Sequence, residues 1–166
     1  MPDRSISAGR LLAACAAASV FVLALGLVLQ HGYDKQPCAW CVLQRLVFIA
    51  IAIVCLLGAL SARARGAQIG AALAADALAV AGAAAALYQH FVASLSDSCG
   101  VSLADKLIMA LSLHELAPWM FFADAPCNAA NMPFLGVPFA LWSLAAFLAL
   151  GSGALVALIT LLRPAR

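Results

Sequence analysis

Charge is what this sequence has least of. Only 10% of its 166 residues are charged, while 66% are hydrophobic. A soluble domain carries about a quarter charged residues, so a water-facing globule is excluded as the first reading. The net charge of +2 is too small and too scattered to suggest a nucleic-acid surface. Internal repeats are also missing, as are low-complexity linkers beyond an alanine-rich stretch. Most telling is where charge is missing. Leu11–Leu29, Leu46–Leu60 and Val137–Leu162 carry none, and Ala67–Tyr88 carries only Asp76.

A helix that crosses a bilayer needs about 20 apolar residues. Three runs reach that length or nearly do, and Leu46–Leu60 reaches it by extending back through Val42. The sequence therefore predicts an all-α membrane protein, a four-transmembrane-helix bundle forming a single integral membrane domain over residues 1–166. The helices are expected at about 11–29, 42–60, 67–89 and 137–162, with outer loops at about 30–41 and 90–136. The first run is longer than the core of a signal peptide and lacks a cleavage site, so it is expected to stay as a span. "LAAC" at residues 12–15 resembles a lipoprotein cleavage box, but Arg10 stands too close to leave room for an apolar core before it.

Six of the nine basic residues, Arg4, Arg10, Arg63, Arg65, Arg163 and Arg166, flank the runs on one side. Positive charge marks the cytoplasmic side, so both termini are expected there. The opposite side then holds Lys35, Arg45, Lys106, Asp34, Asp97, Asp105, Glu115 and Asp124. Trp40, Trp119, Trp142, Tyr33 and Tyr88 fall near that side, where amphipathic rings sit at headgroups. Asp76 is an acid inside a span, expected to snorkel toward the inner interface. Within the second outer loop, Ser102–Leu113 predicts a short helix. Ser102 is its N-cap, with Asp105 three residues on. Leu103, Leu107, Ile108 and Leu111 share a face, which suits a helix lying on the membrane surface or packing on the bundle.

The six cysteines fall into two classes. Cys15 and Cys55 lie within apolar runs and are expected to be inert buried thiols. Cys38 and Cys41, in the first loop, and Cys99 and Cys127, in the second, face a compartment that permits disulfides if the outside is a periplasm. A bridge between Cys38 and Cys41 closes too small a ring to stabilise much. Such pairs are more often redox centres or half of a zinc site, although the wide gap between Cys99 and Cys127 is poor zinc spacing.

"QPCAWCVLQRL", residues 36–46, adds detail. Pro37 suits the first position of a helix, which would place Cys38, Cys41 and Arg45 on one face. The helix N-terminus and the guanidinium both favour a thiolate. An activated thiol at the membrane surface, beside an inward cation, suits a redox partner dissolved in the bilayer. A snorkelling anchor is the plainer role for Arg45. His90, ending the third run, stands at about the same depth and could donate a hydrogen bond or proton to a bound acceptor.

These residues resemble the DsbB family of bacterial inner-membrane disulfide-generating proteins. "PCAWCVLQR", "YQH", the single cysteines Cys99 and Cys127, and "MPFLGVPFALW" carry the resemblance over nearly the whole chain. It implies a multi-pass inner-membrane enzyme, a quinone-dependent protein-dithiol oxidoreductase that reoxidises a periplasmic DsbA-like thiol oxidase. Electrons would pass to ubiquinone or menaquinone. By position, Cys99 and Cys127 correspond to the pair that exchanges with the partner. Cys38 and Cys41 correspond to the pair facing quinone, with Cys41 handing electrons to the ring. Arg45 and His90 correspond to the quinone-site arginine and histidine. Two alternatives are a vitamin K epoxide reductase-like quinone oxidoreductase, whose C-x-x-C comes late in the chain, and a non-enzymatic tetraspan with structural disulfides.

Overall fold

The computed structural model describes residues 2–61, 64–95 and 102–163. Cys99, Arg63, Asp97 and Arg166 lie outside the described residues. In chain order the elements are α1 (Pro2–Tyr33), α2 (Ala39–Leu60), α3 (Arg65–Phe91), a 3-10 turn (Ala93–Leu95), α4 (Leu103–Ala110), α5 (Leu113–Leu116), α6 (Pro118–Phe121), α7 (Cys127–Ala130), β1 (Pro133–Phe134), β2 (Val137–Pro138) and α8 (Phe139–Leu162). Four helical stretches, Ile6–Tyr33, Ala39–Leu60, Arg65–Leu95 and Phe139–Leu162, are long and apolar enough to cross a membrane.

Helical structure continues past the apolar runs, because polar and small residues at their edges still favour the helix once it is nucleated. The exceptions are instructive. Pro37 does not begin α2. Cys38 is the last residue before it, and its carbonyl accepts the Val42 N–H at 3.0 Å. Val137 and Pro138 are diverted from α8 into an antiparallel pair with Phe134 and Pro133. Leu135 (φ 53°) and Gly136 (φ 81°) turn that hairpin, both left-handed as a tight hairpin turn requires.

The chain falls into two compact units, one of segments Met1–Leu23, Val47–Ala81 and Ala146–Arg166, the other of Ala24–Leu46 and Gly82–Ala145. In the first, parts of all four long helices pack as a bundle. Phe48 and Phe147 stack with ring centroids 4.1 Å apart. Ser19 Oγ donates to the Phe48 carbonyl at 2.9 Å, which satisfies a buried hydroxyl. Arg65 donates to the Leu161 carbonyl at the ends of α3 and α8. Cys15 and Cys55 are buried and hydrogen-bonded to one another. Asp76 is half-buried beside Gly151.

Small residues set the helix spacing, as in bundles where lipid is no less apolar than the interface. A methyl added at Gly58 would stand 2.5 Å from the Ala71 Cβ and 2.9 Å from Leu12 Cδ1. Gly58→Ala should therefore cost about 1–3 kcal/mol, read as a lowered unfolding midpoint in detergent. An unchanged midpoint would show that α2 and α3 do not pack through this glycine. On the outer faces Phe21, Leu57, Val80 and Leu148 are all more than half exposed, far more apolar surface than a soluble monomer presents to water.

The second unit holds the loops. Ser102 caps α4 with a full capping box: its Oγ accepts the Asp105 N–H at 3.2 Å and its own N–H donates to Asp105 Oδ2 at 2.9 Å. The expected apolar stripe divides. Ile108, with Ala104, is buried, while Leu103, Leu107 and Leu111 are exposed. The helix ends at Ala110, earlier than the expected Leu113, and Ser112 in the left-handed region (φ 49°) separates it from α5.

Candidate functional site

Three sulfurs meet within the second unit. Cys38, almost fully buried, donates to Cys41 Sγ at 3.4 Å and is hydrogen-bonded to Cys127. Cys127 opens α7 and is brought there by its own loop, because the N–H groups of Asp124 and Ala125 both donate to the Pro37 carbonyl, at 3.1 and 3.3 Å. Proline has no N–H to offer, but its carbonyl remains free, and here it ties the second loop to the residue before Cys38. Cys127 also takes the backbone N–H of Trp40. That donor lies in the first turn of α2, where N–H groups have no partner inside the helix and favour negative charge.

The electrostatics follow. The Cys38 thiol is pushed well above the ordinary cysteine range, first by Cys127 and Cys41, each an acceptor for its one proton, and then by burial. Cys127 is held below that range, first by the hydrogen bond from Cys38. In the reduced protein Cys38 keeps its proton and has one hydrogen to give, to Cys41 or to Cys127. A depressed thiol stays ionised as pH falls until its own lowered pKa is crossed. Cys38→Ala should remove the donor and move the pH midpoint of Cys127 alkylation upward. An unmoved midpoint would mean that Cys38 does not set the charge on Cys127.

Arg45 does not behave as a lipid-facing anchor. It is half-buried, and its Nη1 donates to Gln30 Oε1 at 2.6 Å and to the Met120 carbonyl at 2.8 Å. Gln30 Nε2 in turn donates to the Trp119 carbonyl at 3.4 Å, as does His31 Nε2 at 3.0 Å. A carbonyl can only accept, so His31 carries its proton on Nε2. The guanidinium is thereby locked to α1 and α6, with Nη2 taking no partner among the described residues.

His90 is fixed by Asn131, the residue that caps the C-terminus of α7. The Ala140 N–H donates to Asn131 Oδ1 at 3.0 Å, so the amide nitrogen of Asn131 faces His90 Nδ1, 3.2 Å away. An amide nitrogen only donates, which makes Nδ1 the acceptor and leaves the proton of the neutral ring on Nε2. The residue of this helix end that touches sulfur is Gln89, whose Nε2 lies 3.0 Å from Cys41 Sγ.

Of the site residues expected from sequence, Cys38, Cys41 and Cys127 come together, Arg45 and His90 lie in the same unit, and Cys99 is outside the described residues. Gln30, Gln44, Gln89 and Asn131 were not expected. Gln44 had a signal, since it stands three residues after Cys41 and so on the same helix face. Gln30 and Gln89 had a weaker one, as amides at the ends of apolar runs that need partners when buried.

A family model described as "Disulfide bond formation protein DsbB" matches residues 8–158. A relative from Herminiimonas arsenicoxydans named "Disulfide bond formation protein B" is 35% identical over 137 residues, covering 82% of this chain and 86% of its own. Relatives of the same name from Cupriavidus necator and Pseudomonas syringae pv. tomato are 35% and 33% identical. The first covers 74% of this chain and 73% of its own, and the second covers 73% and 72%.

Proposed function

We propose, from the premise that this chain belongs to the DsbB family of disulfide bond formation proteins, that it reoxidises a DsbA-like periplasmic thiol oxidase and passes the electrons to membrane quinone. Membership makes it a multi-pass membrane protein of disulfide formation. The acceptor, the partner and a place in the bacterial inner membrane with both termini cytoplasmic complete the reading. The exposed stripe of Leu103, Leu107 and Leu111 would rest on the membrane surface.

One observation carries it: Cys38 stands between Cys41 and Cys127, hydrogen-bonded to both. A thiolate of the partner attacks the Cys99–Cys127 disulfide at Cys99, and Cys127 leaves as a thiolate that the Trp40 N–H favours while Cys38 is still in its disulfide. It then attacks Cys38 of the Cys38–Cys41 disulfide, so that a Cys38–Cys127 bond forms and Cys41 is released as a thiolate. The second partner thiol displaces Cys99 and leaves the partner oxidised. Cys99 then recaptures Cys127, and both electrons rest on Cys38 and Cys41.

Quinone, when bound, supplies a two-electron, two-proton acceptor. Its carbonyl oxygens accept hydrogen bonds only, and the residues present fit that need. Arg45 offers Nη2, and His90 offers an Nε2 proton. Arg45 holds positive charge where negative charge develops, while Asn131 keeps the His90 proton on the donating nitrogen.

The test is thiol trapping of the purified reduced protein with and without added quinone. Quinone should convert Cys38 and Cys41 from trapped thiols to a disulfide. Thiols that stay reduced with quinone present would favour a tetraspan with structural disulfides. Stoichiometric zinc with four reduced outer cysteines would instead make them a metal site.

A further inference from the structure

Two uncharged amides stand at the sulfurs. Gln89 is fully buried and Gln44 nearly so. Gln44 Nε2 donates to Gln89 Oε1 at 2.6 Å, which occupies the oxygen of Gln89 and turns its nitrogen toward the cysteines. That nitrogen lies 3.0 Å from Cys41 Sγ and 3.6 Å from Cys38 Sγ. An amide nitrogen has two hydrogens to donate and accepts none, so its approach favours a sulfur that carries negative charge. Arg45, by contrast, directs Nη1 to Gln30 and Met120 and makes no hydrogen bond to either sulfur among the described residues.

We propose that Gln89 is a catalytic residue: its amide N–H is the direct donor that holds negative charge on Cys41 in the reduced pair, and Gln44 is the positioning residue that fixes which end of the amide meets the sulfur. The inference rests on reading Cys38 and Cys41 as the redox pair. Two donors, the Cys38 thiol and the Gln89 amide, converge on Cys41, so Cys38 keeps its proton and Cys41 carries the charge. A disulfide sulfur is a weak acceptor, so the Gln89 contact favours the reduced pair over the oxidised one. Loss of the contact should therefore make the pair a weaker oxidant.

The experiment labels the fully reduced protein with brief pulses of iodoacetamide across a pH series and counts the label on each cysteine by peptide mass spectrometry. Cys41 is partly buried, and iodoacetamide is a small, uncharged reagent suited to such a site. At neutral pH, Gln89→Leu should slow labelling of Cys41 by roughly ten- to a hundredfold, the worth of one hydrogen bond to a charged group. Gln44→Leu should slow it less. Gln89→Glu gives the signature that packing alone would not: the introduced carboxyl donates only while protonated. Its labelling rate relative to wild type should be near one at low pH and fall as pH rises. A second readout is equilibrium with glutathione, where Gln89→Leu should shift the Cys38–Cys41 constant toward the dithiol's oxidation by about tenfold, or about 30 mV.

Wild-type labelling of Cys41 in Gln89→Leu would overturn the proposal. If that variant also exposes Cys15 and Cys55 to label, it is misfolded, and the Gln89→Glu series decides: a relative rate constant with pH overturns the proposal. Labelling involves no quinone. A wild-type protein that fails to reduce quinone would sink the proposed function and leave the labelling result standing.

Discussion

Alanine at Cys41 should reduce quinone-linked disulfide formation to background, a loss on the order of a thousandfold or more, as expected when one member of an interdependent catalytic set is removed. Alanine at Cys38 or Cys127 should do the same. Electrons that move by thiol exchange need a sulfur at each step, and the described structure sets Cys38 against both Cys41 and Cys127. Cys15 and Cys55 are no substitute, since they are buried in the first unit and hydrogen-bonded to each other. Their alanine variants should turn over like wild type. The assay is quinone reduction with the reduced partner as donor. Turnover by a Cys38→Ala/Cys41→Ala protein would show that the path runs elsewhere.

Arg45→Met should lower quinone reduction by about 10²–10³-fold, the effect of losing a preorganised electrostatic contact at a reacting centre, and should raise the apparent KM for quinone. Methionine fills similar space but leaves Gln30 Oε1 and the Met120 carbonyl without their donor, a further cost of about 1–3 kcal/mol in stability where those acceptors are buried. Exchange between the partner and the Cys99–Cys127 disulfide, and its transfer to Cys38, should survive, because the bonds that bring Cys127 to Cys38 come from Pro37, Asp124 and Ala125. Arg45→Lys should recover only part of the rate. An ammonium is a compact point charge and cannot hold Gln30 and Met120 while presenting a second, coplanar nitrogen. Wild-type kinetics in Arg45→Met would reduce the guanidinium to a structural clasp between α1 and α6.

The spans were legible because length and hydropathy decide them, and Ser102 with Asp105 announced α4 by local chemistry alone. Local chemistry misplaced the start of α2. Pro37 is suited to a first helical turn, yet its carbonyl is engaged by Asp124 and Ala125, a contact no local pattern encodes. Val137 and Pro138 read as the apolar opening of α8 for the same reason: hydropathy does not register that Leu135–Gly136 reverses the chain. In the site, Cys38, Cys41 and Arg45 were visible as a helical spacing. The approach of Cys127 to Cys38 was not, since it depends on where a long loop closes. Gln89 was overlooked beside His90. An amide changes no net charge, and it became a candidate only when Gln44 was found fixing its orientation.

The two N–H groups that converge on the Pro37 carbonyl also bear on kinetics. By holding the second loop against the residue before Cys38, they present Cys127 at a high effective concentration, set by the fold and not by the amount of protein. In the proposed cycle, transfer between the two cysteine pairs is then a first-order event within one chain, while capture of a soluble donor is second-order. As donor becomes plentiful, the observed rate should climb to a plateau whose height belongs to this internal step, and weakening the clasp at Pro37 would lower that plateau without changing the initial slope.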